Sequence, residues 1–288
     1  MNYLPRAFYD DVFGQLERND IEQARKLAGT PGIMTSDHCR KRRELTMWVV
    51  LNIKENLCGF ELLERPVTSI TTVPLSDLHS KYDRITKVNF INSPKGQTEG
   101  YQAMPFNEAL NKISLALRFA SNCELEALAD NRYAIVFFKP FFKLLGRSQT
   151  FKSVRTPNYG EECEEFVRKQ LKSAHLEQLL LYRYWPVGFK KSIASWTQNP
   201  KFRSLYSDSM VKMLGYKTVV SLLQRWADGE LKELSVSACI SCKKKHILRH
   251  LKKLGCTSKG STFKLANRHN LELSFSDDFS RMYLDISD

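Results

Sequence analysis

Cys239 and Cys242, followed by His246 and His250, have the residue types that zinc chemistry requires. His246 and His250 are four residues apart and share one side of a helix. The spacing argues against a metal site. A finger wraps its ion with a loop of about 12 or more residues between the two pairs, whereas three residues part Cys242 from His246. The stretch reads as a strand end followed by a basic helix. Gly255-Cys-Thr-Ser-Lys-Gly260-Ser-Thr262 has the glycines and lysine of a phosphate loop. Lys259 precedes the second glycine instead of following it, so cradle and lysine cannot converge on one phosphate. Asp10-Asp11 and Asp277-Asp278 are paired carboxylates without a cation site beside them, and no Ser-His-Asp or Cys-His pattern has local support. On these residues the chain is expected to be no enzyme and to hold no cofactor and no metal.

Binding is the chemistry that remains. The 288 residues carry 44 Lys and Arg against 31 Asp and Glu, a formal charge of +13, so the surface attracts acidic partners. The basic residues cluster: Lys139, Lys143, Arg147, Lys152 and Arg155 follow one another with no acid between them. Tyrosines interleave with them further along. Lys152, Arg155, Leu180, Tyr182, Arg203, Tyr206 and Lys232 are predicted to line one sheet face, with Arg155, Leu180, Tyr206 and Ser235 in a single row. Such a surface suits an acidic protein segment or, alternatively, single-stranded nucleic acid.

Those residues need strands to hold them. From residue 85 onward an apolar-x-x-apolar form recurs at Ile85/Val88, Leu125/Leu128, Phe151/Val154, Leu176/Leu179, Phe202/Leu205 and Leu231/Leu234, the last five starts 25 to 29 residues apart. Helical stripes lie between: Phe106 to Leu117, Cys163 to Ala174, Val219 to Trp226 and Ile247 to Leu254. One strand plus one helix per period fits the leucine-rich-repeat size class. An open α/β sheet with right-handed crossovers produces similar alternation. Ahead of this, Thr46–Ile53 and Cys58–Leu63 predict a hairpin, and residues 4 to 28 predict a helix pair.

Leu4-Pro5, Phe8, Val12-Phe13, Leu16, Asp20-Ile21 and Ala24 keep an order and spacing that resemble an F-box. That helical module docks a substrate receptor onto the Skp adaptor of a cullin-RING ubiquitin ligase. The layout is also similar to small F-box-like proteins of nematodes. The resemblance implies that Leu4, Pro5, Phe8, Val12, Phe13, Leu16 and Ile21 form the adaptor-binding surface; the alternative is a helical cap that hides its apolar face on the following strands. The expected fold class is therefore α/β, an F-box-like helical module at 1–45 followed by an irregular leucine-rich-repeat-like strand-helix solenoid at 46–288. The expected function is that of a non-enzymatic substrate receptor of an SCF-type ligase, partnered by the Skp adaptor, the cullin-RING ligase and an acidic protein substrate. A basic nucleic-acid-binding protein is the alternative.

Seven scattered cysteines lack the spacing of a disulfide framework and fit a reducing compartment, cytoplasmic or nuclear. The most apolar run, Tyr133 to Leu145, is broken by Lys139 and Pro140 and is far short of the roughly 20 residues that span a bilayer. No membrane partner is expected.

Overall fold

Leu4-Pro5 opens the first helix because proline fixes the backbone in a conformation that can lead into a helix but cannot continue one. The fold is a computed structural model that describes residues 4–16, 18–64, 71–92, 102–129, 134–145, 150–265, 270–276 and 280–287. The chain divides into two compact units, residues 1–137 and 138–288.

In the first unit, helices α1 (Arg6–Gln15), α2 (Arg18–Ala24) and α3 (Thr30–Lys41) precede the strands. Phe13, Ile21 and Met34 are their buried apolar residues. Strands β1 (Arg43–Asn52) and β2 (Leu57–Glu64) form an antiparallel hairpin. Its turn places Asn56 at φ 54°, where asparagine is tolerated better than most residues. Then come β3 (Thr71–Thr72), β4 (Asp83–Asn92), β5 (Ala103–Pro105), α4 (Phe106–Ala116) and β6 (Ala120–Ala127). The strand order is β6-β4-β1-β2-β3, with β5 on β2; β4 runs parallel to β1 and β6. A guanidinium fork joins the start of β1 to the start of β4: Arg43 Nε and Nη2 meet the two oxygens of the buried Asp83 at 2.7 and 2.6 Å. Arg84 Nε donates to the Gly14 carbonyl at 2.7 Å and ties the helices to β4.

The boundary between the units falls in α5 (Ile135–Leu145), a helix that runs through Pro140. A proline inside a helix removes one backbone hydrogen bond, yet the helix persists here. Burial explains it, because Phe137, Phe138, Phe141, Phe142 and Leu145 are essentially inaccessible and their packing outweighs one missing backbone bond. Tyr133 lies outside the described residues.

The second unit continues with β7 (Phe151–Pro157), α6 (Glu161–Leu171), β8 (Gln178–Tyr182), α7 (Phe189–Trp196), β9 (Ser204–Ser207), α8 (Tyr216–Ala227), β10 (Leu234–Cys239) and α9 (Lys244–Lys253). It ends with β11 (Thr257–Lys259), β12 (Thr262–Lys264), β13 (Asn270–Phe275) and β14 (Arg281–Ser287). The order is β7-β8-β9-β10-β14-β13-β12-β11, parallel as far as β10 and antiparallel beyond it. Val154, Leu179, Leu205 and Val236 are cross-strand partners and all buried; Arg155, Leu180, Tyr206 and Ser237 alternate with them on the opposite, half-exposed face.

The expected fold class is corrected by this topology. A helical module followed by a solenoid adds every strand through a crossover, so its strands all run parallel. Here the sheets are mixed: β2 is antiparallel to β1, β3 and β5, and the closing meander β11 to β14 is antiparallel throughout. The turns within the β1–β2 hairpin and the β11 to β14 meander are too short for a crossover, since a parallel return needs a dozen or more residues. Strand-helix alternation is confined to the middle of the chain, and the fold is a mixed α/β one.

Candidate anion-binding site

Where parallel strands alternate with helices, strand carboxyl ends and helix amino ends meet along one edge, and ligands bind there. In the second unit, the turns after β7 to β10 form that edge and are bonded to each other. Asn158 Nδ2 donates to the Tyr184 carbonyl at 3.1 Å. Leu214 and Ile240 form a β-bridge, and the Ser241 N–H donates to the Leu214 carbonyl at 2.9 Å.

At the end of β10 this edge holds a cavity of about 670 Å³. Lys212, Ser241, Lys243, Lys244, Lys245 and Ser280 supply its polar wall, and Ile240, Cys242 and Leu248 the rest; no carboxylate is among the described residues that line it. Lys190 reaches in from α7, its Nζ donating to Ser241 Oγ at 3.1 Å. Burial pushes the Cys242 thiol up, against the opposing charge of Lys190, which disfavours the thiolate.

The start of α9 runs against the local rule. A helix amino end carries partial positive charge, so acids are favoured there and each cation costs about 0.3–1 kcal/mol. Helix α6 obeys, with Glu161, Glu162 and Glu164 in its first turn. Helix α9 has Lys243 at its N-cap, Lys244 and Lys245 behind it, no acid and no side-chain cap. Lys244 is steadied over the Phe275 ring, 5.2 Å from its centroid. Lysine side chains and the amino end of α9 thus line one opening, surroundings that favour phosphate oxygens, while the Ser241 hydroxyl accepts from Lys190 and donates to the Leu214 carbonyl at 3.3 Å.

The sheet-face residues singled out in the sequence are partly brought together. Arg155 Nε donates to Tyr182 Oη at 2.9 Å, its guanidinium lies 5.5 Å from the ring centroid, and the rings of Tyr182 and Tyr206 are 5.4 Å apart. Leu180 pairs with both Arg155 and Tyr206, but the fourth member of the row is Ser237; Ser235 pairs with Ser204. The reason is a bend at Lys232-Glu233 that delays the start of β10. Lys152 and Arg203 lie outside that row, and Lys232 precedes β10. Arg203 is engaged with Glu177 and Glu233 at 3.5 and 2.9 Å.

The residues of the expected adaptor surface are divided. Leu4, Pro5, Phe8 and Val12 are exposed, Leu16 is half-buried, and Phe13 and Ile21 are buried. Phe13 stacks on Tyr9 and meets the His38 ring edge-on, so it belongs to the core beneath the helices. Nearby, Asp10 accepts from His38 Nε2 at 3.1 Å and pairs with Lys81 Nζ at 2.7 Å. Burial opposes ionisation of Asp10, but these two partners hold its carboxyl below the ordinary range; burial pushes the His38 imidazole down.

His246 meets the edge of the Tyr216 ring, His250 Nε2 is buried without a partner, and Cys239 is buried. Among the described residues, no group of three or more His, Cys, Asp or Glu could hold a metal. All seven cysteines are free, and burial pushes the thiols of Cys58 and Cys163 up to about 12. Among the described residues, no helix is long and apolar enough to cross a membrane. Arg147, Asp277 and Asp278 lie outside the described residues. The lysine cavity itself escaped sequence reasoning, although its signal was there: Lys243-Lys244-Lys245 opens a helix where acids are the rule.

No family model and no curated protein matches the chain. Among solved structures it is similar to the MycE methyltransferase from the mycinamycin biosynthetic pathway, in complex with Mg and SAH, at 10% identity and a TM-score of 0.24, over 99% of this chain and 93% of that one. The expectation of a non-enzymatic SCF-type receptor, with Skp and cullin-RING partners, an acidic protein substrate and leucine-rich repeats, is withdrawn. A receptor of that kind presents its substrate on the sheet face of a solenoid, and the mixed sheets are not a solenoid. At this TM-score the likeness carries no activity over to the chain.

Proposed function

We propose that the chain binds a phosphate-bearing anionic ligand in the cavity at the end of β10. The observation that carries this reading is that Lys212, Lys243, Lys244 and Lys245 all line one opening at the amino end of α9, with no carboxylate in its described lining. Hydrogen bonds to charged groups contribute about 1.5–3 kcal/mol each, so two or three lysines on one phosphate group outweigh the cost of seating cations at a helix start. The cavity has room for a ligand larger than a lone phosphate. Seven free cysteines support a reducing compartment, cytoplasmic or nuclear, as the place where it acts.

Isothermal titration of the full chain with inositol hexakisphosphate tests the reading. Wild-type protein should bind it, and Lys243→Gln with Lys245→Gln should weaken binding on the order of a hundredfold, as expected for two lost charge-assisted bonds. Equal affinity in both proteins would remove the cavity from consideration.

A further inference from the structure

The edge that holds the lysine cavity also displays apolar side chains where solvent should meet polar ones. Tyr184 and Val187, in the turn after β8, are 65% and 62% exposed, and Met210, in the turn after β9, is 81% exposed. These turns are anchored. Trp185 is fully buried, its Nε1 donates to the Tyr182 carbonyl at 3.0 Å, and its ring meets Phe189 edge-on. Ser209 is buried beside Met210; its N–H donates to Ser207 Oγ and its Oγ accepts from the Val211 N–H, both at 3.3 Å. The three side chains are therefore held outward by the fold. Lys212 follows Met210 by two residues and lines the cavity, and Lys190 follows Val187 by three and bonds Ser241.

On the β8 to β10 part of this edge, apart from the acidic start of α6 after β7, the apolar tips are flanked by Lys190 and Lys212, with Asp208 the acid beside them. They complement an interface that is itself negatively charged outside and apolar beneath. Aromatic and long aliphatic side chains settle at the headgroup boundary, and lysines near it gain from the negative surface potential. We propose that this edge docks on an anionic lipid bilayer, with Tyr184, Val187 and Met210 entering between headgroups while the cavity takes a headgroup phosphate. This rests on the anion-binding reading and names the source of the phosphate. Docking of this kind lies on the membrane surface and needs no spanning segment.

Sedimentation of the full chain with vesicles tests it. One set contains phosphatidylcholine alone, the other phosphatidylcholine with phosphatidylserine and phosphatidylinositol bisphosphate. Wild-type protein should sediment with the second set only. Val187→Asp with Met210→Asp should lower that binding tenfold or more while leaving titration with soluble inositol hexakisphosphate unchanged; all these positions are exposed, so folding is spared, and circular dichroism verifies it. Lys243→Glu with Lys245→Glu should lose both. If wild type binds soluble inositol hexakisphosphate but ignores anionic vesicles, or if Val187→Asp with Met210→Asp sediments like wild type, bilayer docking is overturned and the cavity reading stands. If wild type binds neither probe, both fall.

Discussion

At the scale of single residues, Lys245 carries a conflict that can be measured. Its ammonium sits in the first turn of α9, against the helix dipole. Lys245→Glu should therefore raise stability by about 0.3–1 kcal/mol, read as a higher urea midpoint, while it weakens phosphate-ligand binding. A residue kept for scaffold reasons would show no such opposition. Asp10 and His38 carry a second conflict, this one with pH. The Asp10 carboxyl is held below its ordinary 3.8, so the stability it contributes is present above that value and is lost as pH falls through the folded one. His38 is held below its ordinary 6.5, so the unfolded chain takes up the proton first, and stability falls as pH drops below 6.5 toward the folded value. Acidification should thus begin to destabilise the protein well above the carboxylate range. Asp10→Asn removes the group that favours the imidazolium, so the variant should lose more stability than wild type between about pH 7.5 and about pH 5.5, either side of the free imidazole value. Equal losses by urea titration would show that His38 does not respond to Asp10.

At the scale of elements, the alternation of buried and half-exposed residues on β8 and β9 separates packing from surface. Leu205→Ala should cost about 2–5 kcal/mol, because Leu205 is 1% exposed between Leu179 and Val236. Tyr206→Ala, one residue on and facing the other way, should cost about 1 kcal/mol, the scale of its ring contact with Tyr182. Gln170→Leu in α6 should cost about 1–3 kcal/mol, since Gln170 Oε1 accepts from the Phe151 N–H at 3.0 Å in the core and leucine would strand that donor. Thermal melts rank the three. These same elements show what the sequence made legible. The β1–β2 hairpin and the helices carrying the stripes at Phe106, Cys163, Val219 and Ile247 are written in local periodicity, which one strand or helix imposes on its own residues. The partner of each strand is not written there. The antiparallel return of β14 onto β10 depends on residues 234–239 meeting 281–286, and no local pattern encodes a meeting across that separation. Likewise Ser237 replaces Ser235 in the row because the bend before β10 shifts its register. The candidate site was hidden for a related reason. Lys212 and Lys243 belong to different turns, and only the pairing of β9 with β10 brings those turns side by side.

At the scale of the whole molecule, the question is whether a formal charge of +13 acts everywhere or at one place. A diffuse positive surface attracts any polyanion, in proportion to net charge and with little regard to position. A built cavity responds to its own lysines. Two variants with the same change in net charge separate these cases. Lys243→Glu with Lys245→Glu alters the cavity. Lys201→Glu with Lys232→Glu alters exposed residues ahead of β9 and β10, at the opposite ends of the same strands. Both pairs are solvent-facing, so neither should move stability by more than about 1 kcal/mol per residue, the upper end being the helix-dipole gain at Lys245. The decisive measurement is the affinity of wild type and both variants for inositol hexakisphosphate by isothermal titration at one fixed salt concentration. Binding in the Lys201→Glu, Lys232→Glu variant should stay close to wild type while the Lys243→Glu, Lys245→Glu variant loses it; an equal loss in the two variants would contradict a site at the end of β10 and assign the attraction to the surface as a whole.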